Sequence, residues 1–196
     1  KSELIWLKEP DKCALQNCLK DLNKAYQNFF RDKAVGHPKF KSKKTHRFSY
    51  RTNYTNGNIE FLNGKIKLPK LGWLKTRDNQ IPQGRIVNAT ISQEPSGKYY
   101  VSICCTDVEI MSLPKTNKQI GIDLGIKDFC ITSEGDKFYN PKYFMKSQQK
   151  LLKLQRELSR KTRGGRNWQK ARIKVARQHE KISNQRRDHL QKLSTQ

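Results

Sequence analysis

Apolar residues in this chain follow a helical period near both ends and a strand period between them, so neither an all-helical bundle nor an all-β sandwich suits it. Leu15, Leu19, Leu22, Tyr26 and Phe29 recur at steps of four and three, which places them on one side of a helix. Asp11 stands where its carboxylate can cap the first free amides, and Gly36-His37-Pro38 is a stop signal. The stripe predicts a helix face turned toward a core. Beyond it the period drops to two. Phe48 and Tyr50 alternate with Ser49 and Arg51, and Ile59, Phe61, Ile66 and Leu68 alternate around Asn63-Gly64. Asn-Gly between alternating runs is a strong hairpin signal, because both residues tolerate positive φ. A second hairpin is predicted for residues 85–92 and 98–105, turned at Pro95-Ser96-Gly97. Short strands separated by turn residues predict an antiparallel barrel or curled sheet.

A polar connector at residues 113–117 marks the expected boundary between a domain at 1–116 and another at 117–196. The second opens on the apolar run Ile120-Gly-Ile-Asp-Leu-Gly125, followed by strand-like Phe129-Cys-Ile-Thr132 and Lys137-Phe138-Tyr139. After Pro141 the period is helical again. Leu151, Leu154 and Leu158 form one stripe, Gly164-Gly165 breaks it, and Trp168, Ala171, Val175, Ile182, His189 and Leu193 form the next. The expected class is α+β: a helix and barrel-like domain, then a small sheet with a long basic helical hairpin.

Charge narrows the partners. Forty-one Lys and Arg against seventeen Asp and Glu give a formal +24. A chain that repels itself this strongly is suited to a polyanion, and phosphate backbones are the usual one. The charge is also concentrated. Residues 33–51 hold seven basic side chains and no acid, and residues 146–187 hold fifteen against Glu157 and Glu180. No stretch approaches the ~20 apolar residues of a membrane span. Five cysteines without a CxxC pair match neither a disulfide framework nor a zinc ribbon. Cys104 and Cys130, in apolar runs, are expected as buried thiols in a reducing cytoplasm.

The residue with chemistry to offer is Asp123. In a strand, Ile120, Ile122 and Leu124 point one way, and Gly121, Asp123 and Gly125 the other. The apolar side is expected to pack on a helix, with the strand central in a three-stranded antiparallel sheet. The other side would present one carboxylate between residues without side chains, with room for a hard cation and a phosphate. Spacing alone also fits an ordinary edge or turn residue beside structural glycines. Asp128, in the following turn, is read as a local hydrogen-bonding residue. His179 and His189 lie ten residues apart, too far to share a metal, and are read as packing or phosphate-facing groups.

Residues 120–129 resemble the first RuvC motif of the TnpB (OrfB) proteins of insertion sequences, relatives of type V CRISPR effectors. Phe29-Phe-Arg followed by His37-Pro-Lys-Phe-Lys-Ser-Lys-Lys44 resembles that family's segment before its barrel. Asn140-Pro-Lys-Tyr143, Leu158-Ser-Arg-Lys161 and residues 176–187 resemble its basic helices. The likeness runs in family order over nearly the whole chain. It implies an RNase H-like (RuvC) domain, of which residues 117–196 would be the amino-terminal part. It also implies DNA and guide RNA as partners, and Mg²⁺ held by an Asp, Glu, Asp set of which Asp123 matches the first. The family pattern continues past Gln196 into that Glu, the final Asp and a four-cysteine zinc ribbon, so the resemblance implies a partial copy that should not cut DNA alone. The alternative is a nucleic-acid-binding protein without nuclease activity.

The residues expected to meet nucleic acid follow from the basic segments and this likeness. Lys39, Lys41, Lys43, Lys44 and Arg47 surround Phe40, so cations can hold phosphates while the ring contacts a base or sugar. Lys161, Arg163 and Arg166 flank Gly164-Gly165, where a backbone could approach phosphate or simply turn between helices. Arg172, Arg186 and Arg187 complete the set, and Trp168 is read as a core anchor.

Overall fold

The computed structural model describes residues 4–195, apart from 33, 41, 43–47, 78–79, 110, 112–113, 115–116 and 118. Helices and antiparallel sheets are arranged in two compact units, Lys1–Ile110 and Met111–Gln196. In the first, a 3-10 turn at Ile5–Lys8 precedes α1 (Lys12–Arg31). The Asp11 carboxylate caps α1 by accepting from the Ala14 amide at 3.1 Å. It also accepts from Thr52 Oγ1 at 2.7 Å, which ties the cap to β1 (Phe48–Asn53). Burial, and then the nearby Asp11 carboxylate, hold the Tyr50 phenol above its ordinary pKa.

α1 covers its predicted stripe only in part, with Leu15, Tyr26 and Phe29 half-buried. Ala14 and Asn17 are its buried residues, whereas Leu19 and Leu22 are 70% and 51% exposed. The cause lies in β1, an edge strand whose outer carbonyls have no ladder partner. Asn17 Nδ2 donates to Arg51 O at 2.9 Å and to Asn53 Oδ1 at 3.2 Å, and Arg51 pairs with Asp21 at the rim. The helix ends at Arg31, ahead of Gly36, where the Asp32 amide donates to Asn28 O. The His37 ring then stands edge-on to Tyr26 and Phe29, at 5.4 and 5.2 Å.

Replacing Asp11 by Ala removes both the cap and the Thr52 bond. We expect a loss of about 1–2 kcal/mol and a melting temperature lower by several degrees. A thermal melt that superimposes on the parent's would contradict the assignment.

Six strands complete the unit in two three-stranded sheets. One is ordered β1-β5-β6, with β5 (Arg85–Gln93) central and β6 (Tyr99–Thr106) at its other edge. The other is a meander of β2 (Glu60–Leu62), β3 (Lys65–Leu68) and β4 (Gly72–Lys75). Asn63 and Gly64 both take positive φ, as the β2–β3 turn requires. Ile59, Ile66 and Leu68 share a core with Ala89 and Ile91, and Tyr50, Phe61, Ile86, Val101 and Ile103 pack against it. The two sheets therefore bury one core between them, but no ladder joins them among the described residues. Of the expected barrel or curled sheet, the antiparallel strands are present as two open sheets among the described residues, and the barrel is corrected. β4, unnoticed as a strand, is exposed along its whole length and carries no alternation to read. Cys104 is corrected as well, because it faces outward on the edge strand β6.

The second unit is a meander of β7 (Ile122–Leu124), β8 (Asp128–Thr132) and β9 (Lys137–Tyr139), followed by α2 (Tyr143–Ser159) and α3 (Arg166–Ser194). Its buried apolar groups are Cys130, Leu151 and Ile182. The His189 ring of α3 stands edge-on to Phe129 of β8 and Tyr143 of α2, at 5.8 and 6.1 Å, so it is a packing residue. Gly164, at φ 86°, allows the reversal between the helices. β8 is the central strand because the turns on either side of it both fold back, which leaves β7 at the edge. Asp123 is therefore on an edge strand and not the central one predicted. Ile122 and Leu124 are 61% and 71% exposed, so among the described residues their side is not packed on a helix. Among the described residues no helix is long and apolar enough to cross a membrane.

Candidate nucleic-acid interface and carboxylate

Helix periodicity decides where the positive charge of α3 lies. Arg166, Lys170, Lys174, Arg177 and Lys181 follow one another at steps of four, four, three and four, and all five are exposed. At about 100° per residue they fall within a quarter turn, and their span of fifteen residues covers about 22 Å. The buried residues Gln178 and Ile182 belong to another side of the helix. The result is a straight row of cations on one exposed flank. Only Arg166 of this row was predicted as a contact, although the spacing was readable in the sequence.

The other predicted residues sort into three places. Lys161 and Arg163 are exposed in the loop that leads to Arg166, at the start of the row. Arg172 is half-buried on a different flank and donates from Nε to Gln169 Oε1 at 3.0 Å. Arg186 and Arg187, exposed, lie twenty residues along α3 from Arg166, about 30 Å away. The Arg186 guanidinium sits 5.9 Å from the centre of the Phe144 ring. In the first unit, Lys39 is exposed and Phe40 is fully exposed. Lys41, Lys43, Lys44 and Arg47 lie outside the described residues. Trp168 is half-buried on α3.

The carboxylate stands on a locally tight frame. Asp123 pairs in register with Ile131. On one side of it, Gly121 and Ser133 are joined by two bonds: the Ser133 amide donates to Gly121 O at 2.8 Å, and the Gly121 amide to Ser133 Oγ at 3.1 Å. On the other, the Gly125 amide donates to Phe129 O, and a Cβ at Gly125 would come within 2.9 Å of Asp128 O. Gly125 is thus required by the turn itself. At Gly121 the nearest atom to a Cβ is at 3.5 Å, an ordinary contact. Asp123 is exposed, and Asp128, half-buried, starts β8.

Whether these groups suit Mg²⁺ can be judged from the donor set. A hard cation needs several oxygen ligands brought together. Among the described residues no cluster of three or more His, Cys, Asp or Glu side chains is placed to hold a metal. Asp123 supplies one exposed carboxylate, which does not make a Mg²⁺ site by itself.

Residues 102–196 match the OrfB_IS605 family, described as probable transposase. The chain is 39% identical over 195 residues to a protein of Escherichia coli (strain K12) named "Putative RNA-guided DNA endonuclease InsQ". It is 36% identical over 200 residues to a protein of Streptomyces pristinaespiralis whose name is the same without the last word. These alignments take in 99% and 98% of the chain, but 47% and 48% of the two relatives. The chain therefore spans about half the length of the curated relatives it matches.

Proposed function

We propose that this chain, which belongs to the OrfB (TnpB) family, is the part of an RNA-guided DNA endonuclease that grips nucleic-acid backbones and contributes one carboxylate, Asp123, to the cutting site. The row Arg166-Lys170-Lys174-Arg177-Lys181 carries this reading. Five cations along about 22 Å of a rigid helix meet a phosphate backbone without reading its sequence. That suits a protein whose sequence choice is delegated to a guide RNA. Arg163 and Lys161 would extend the track around the interhelical loop, and Lys39 beside the exposed Phe40 would add a contact in the first unit. The second unit, an antiparallel meander followed by helices, is compatible with the opening of an RNase H-like (RuvC) domain. Mg²⁺ is the cofactor proposed for the complete site, with Asp123 as one ligand. The cytoplasm is the proposed setting.

Two cations ~3.5–4 Å apart need several carboxylates to offset their repulsion. We therefore expect the purified chain to retard labelled plasmid in a gel, yet not to nick it with Mg²⁺ or Mn²⁺, even with RNA added. Absence of retardation would refute the grip. Cleavage that disappears in an Asp123→Ala variant would refute the single-ligand reading.

A further inference from the structure

We propose that the second unit holds a pocket for one unstacked nucleobase, at the junction of the β7–β8 turn, the start of α2 and the last turns of α3. The inference rests on the nucleic-acid reading above and adds to it a place where a base leaves the strand. The cleft there has a volume of about 480 Å³, within the usual range for small-ligand sites.

Its walls are apolar and open to solvent. Ile126, Met145, Leu190 and Phe144 are 90%, 64%, 47% and 41% exposed, and all four line the cleft. Apolar side chains gathered around one concavity indicate a binding surface more than scattered surface residues do. Phe129 and Tyr143 add aromatic rings to the same cleft.

Charge decides the class of occupant. Lys142 and Arg186 line the cleft with those rings, and Arg187 is the next residue of α3. An apolar peptide segment would gain nothing from these cations. A base joined to a phosphate uses both kinds of surface: ring against ring, phosphate against cation. Arg186 already lies over Phe144, at 5.9 Å from its centre, which presents a guanidinium and an aromatic plane together. His189 also lines the cleft.

The pocket is held in shape by one side chain. Asn140 Nδ2 donates to Ile126 O at 3.0 Å, and its Oδ1 accepts from the Lys142 amide at 3.1 Å. It therefore fastens the β7–β8 turn to the start of α2. Lys142 sits at φ 48°, in the left-handed region, and this bond helps keep it there.

The test uses a short single-stranded DNA with the fluorescent base 2-aminopurine at its centre and an anisotropy label at one end. Stacking in the pocket should change the 2-aminopurine emission along the same saturation curve as the anisotropy. An abasic centre should weaken binding roughly ten-fold. Leu190→Trp, at a site 47% exposed on α3, fills the cleft without disturbing the core. It should abolish the emission change and cost a similar ten-fold, as should Phe144→Ala, with circular dichroism unchanged. Binding with no emission change, equal affinity for the abasic strand, or an emission change that survives Leu190→Trp would each overturn the pocket and leave the backbone grip standing. Failure of the parent chain to bind any oligonucleotide would overturn both.

Discussion

Between about 50 and about 200 mM salt, the affinity of this chain for RNA or DNA is expected to fall by roughly three orders of magnitude. The five-residue row of α3 and the cations of the adjoining loop can together neutralise six or more phosphates. Each neutralised phosphate contributes roughly 0.9 to the logarithmic salt slope on a duplex, and less on a single strand. Replacing Lys170, Lys174 and Lys181 by Gln should therefore flatten the duplex slope by about 2.7 and weaken binding on every sequence alike. All three are exposed, so the fold should be unaffected. Fluorescence anisotropy over a salt series measures both effects. A slope unmoved by the triple substitution would mean that the row faces away from the nucleic acid.

The largest change in stability is expected at Ile66, which is 2% exposed and lies in the core shared by the two sheets of the first unit. Ile66→Ala should cost about 3 kcal/mol, from lost burial and from the cavity left behind. For a unit of this size the melting temperature should drop by more than 10 °C. Leu124→Ala on β7 gives the contrast. That side chain is 71% exposed, so its removal should change stability by no more than about 0.5 kcal/mol. Denaturant or thermal unfolding followed by circular dichroism would compare the two. A large loss at Leu124 would mean that β7 is packed as the alternation first suggested.

Features governed by local chemistry were legible in the sequence. Asp11 caps α1, Asn63-Gly64 turns the first hairpin, and Gly164 reverses the chain between the last helices; each needs only a few neighbouring residues. Features governed by distant partners were not. The buried side of α1 is chosen by the unpaired carbonyls of β1, thirty-four residues from Asn17, and apolar spacing has no view of them. The edge position of β7 depends on two later turns that both fold onto β8. At the site, the Asp123 strand and the basic hairpin were readable. The row along α3 was present as spacing but was obscured by basic residues on its other sides. The cleft at Asn140 was beyond reading, because it joins a turn, a loop and a helix end that are far apart in sequence.

The sheet order of the first unit also bears on how it folds. β2–β3, β3–β4 and β5–β6 each join neighbours along the chain, whereas β1–β5 encloses three other strands. Neighbouring hairpins form on a microsecond scale. The β1–β5 pairing must first close a loop of dozens of residues, from Asn53 to Asn88, and that entropy is lost before any contact repays it. That pairing is accordingly the expected slow step in the folding of this unit. As β5 is also the partner of β6, β1 is expected to complete a sheet that the β5–β6 hairpin begins. During synthesis the β1–β5 pairing must therefore wait for β5 to leave the ribosome, while the helical hairpin of α2 and α3, built from local contacts, can form as soon as it emerges.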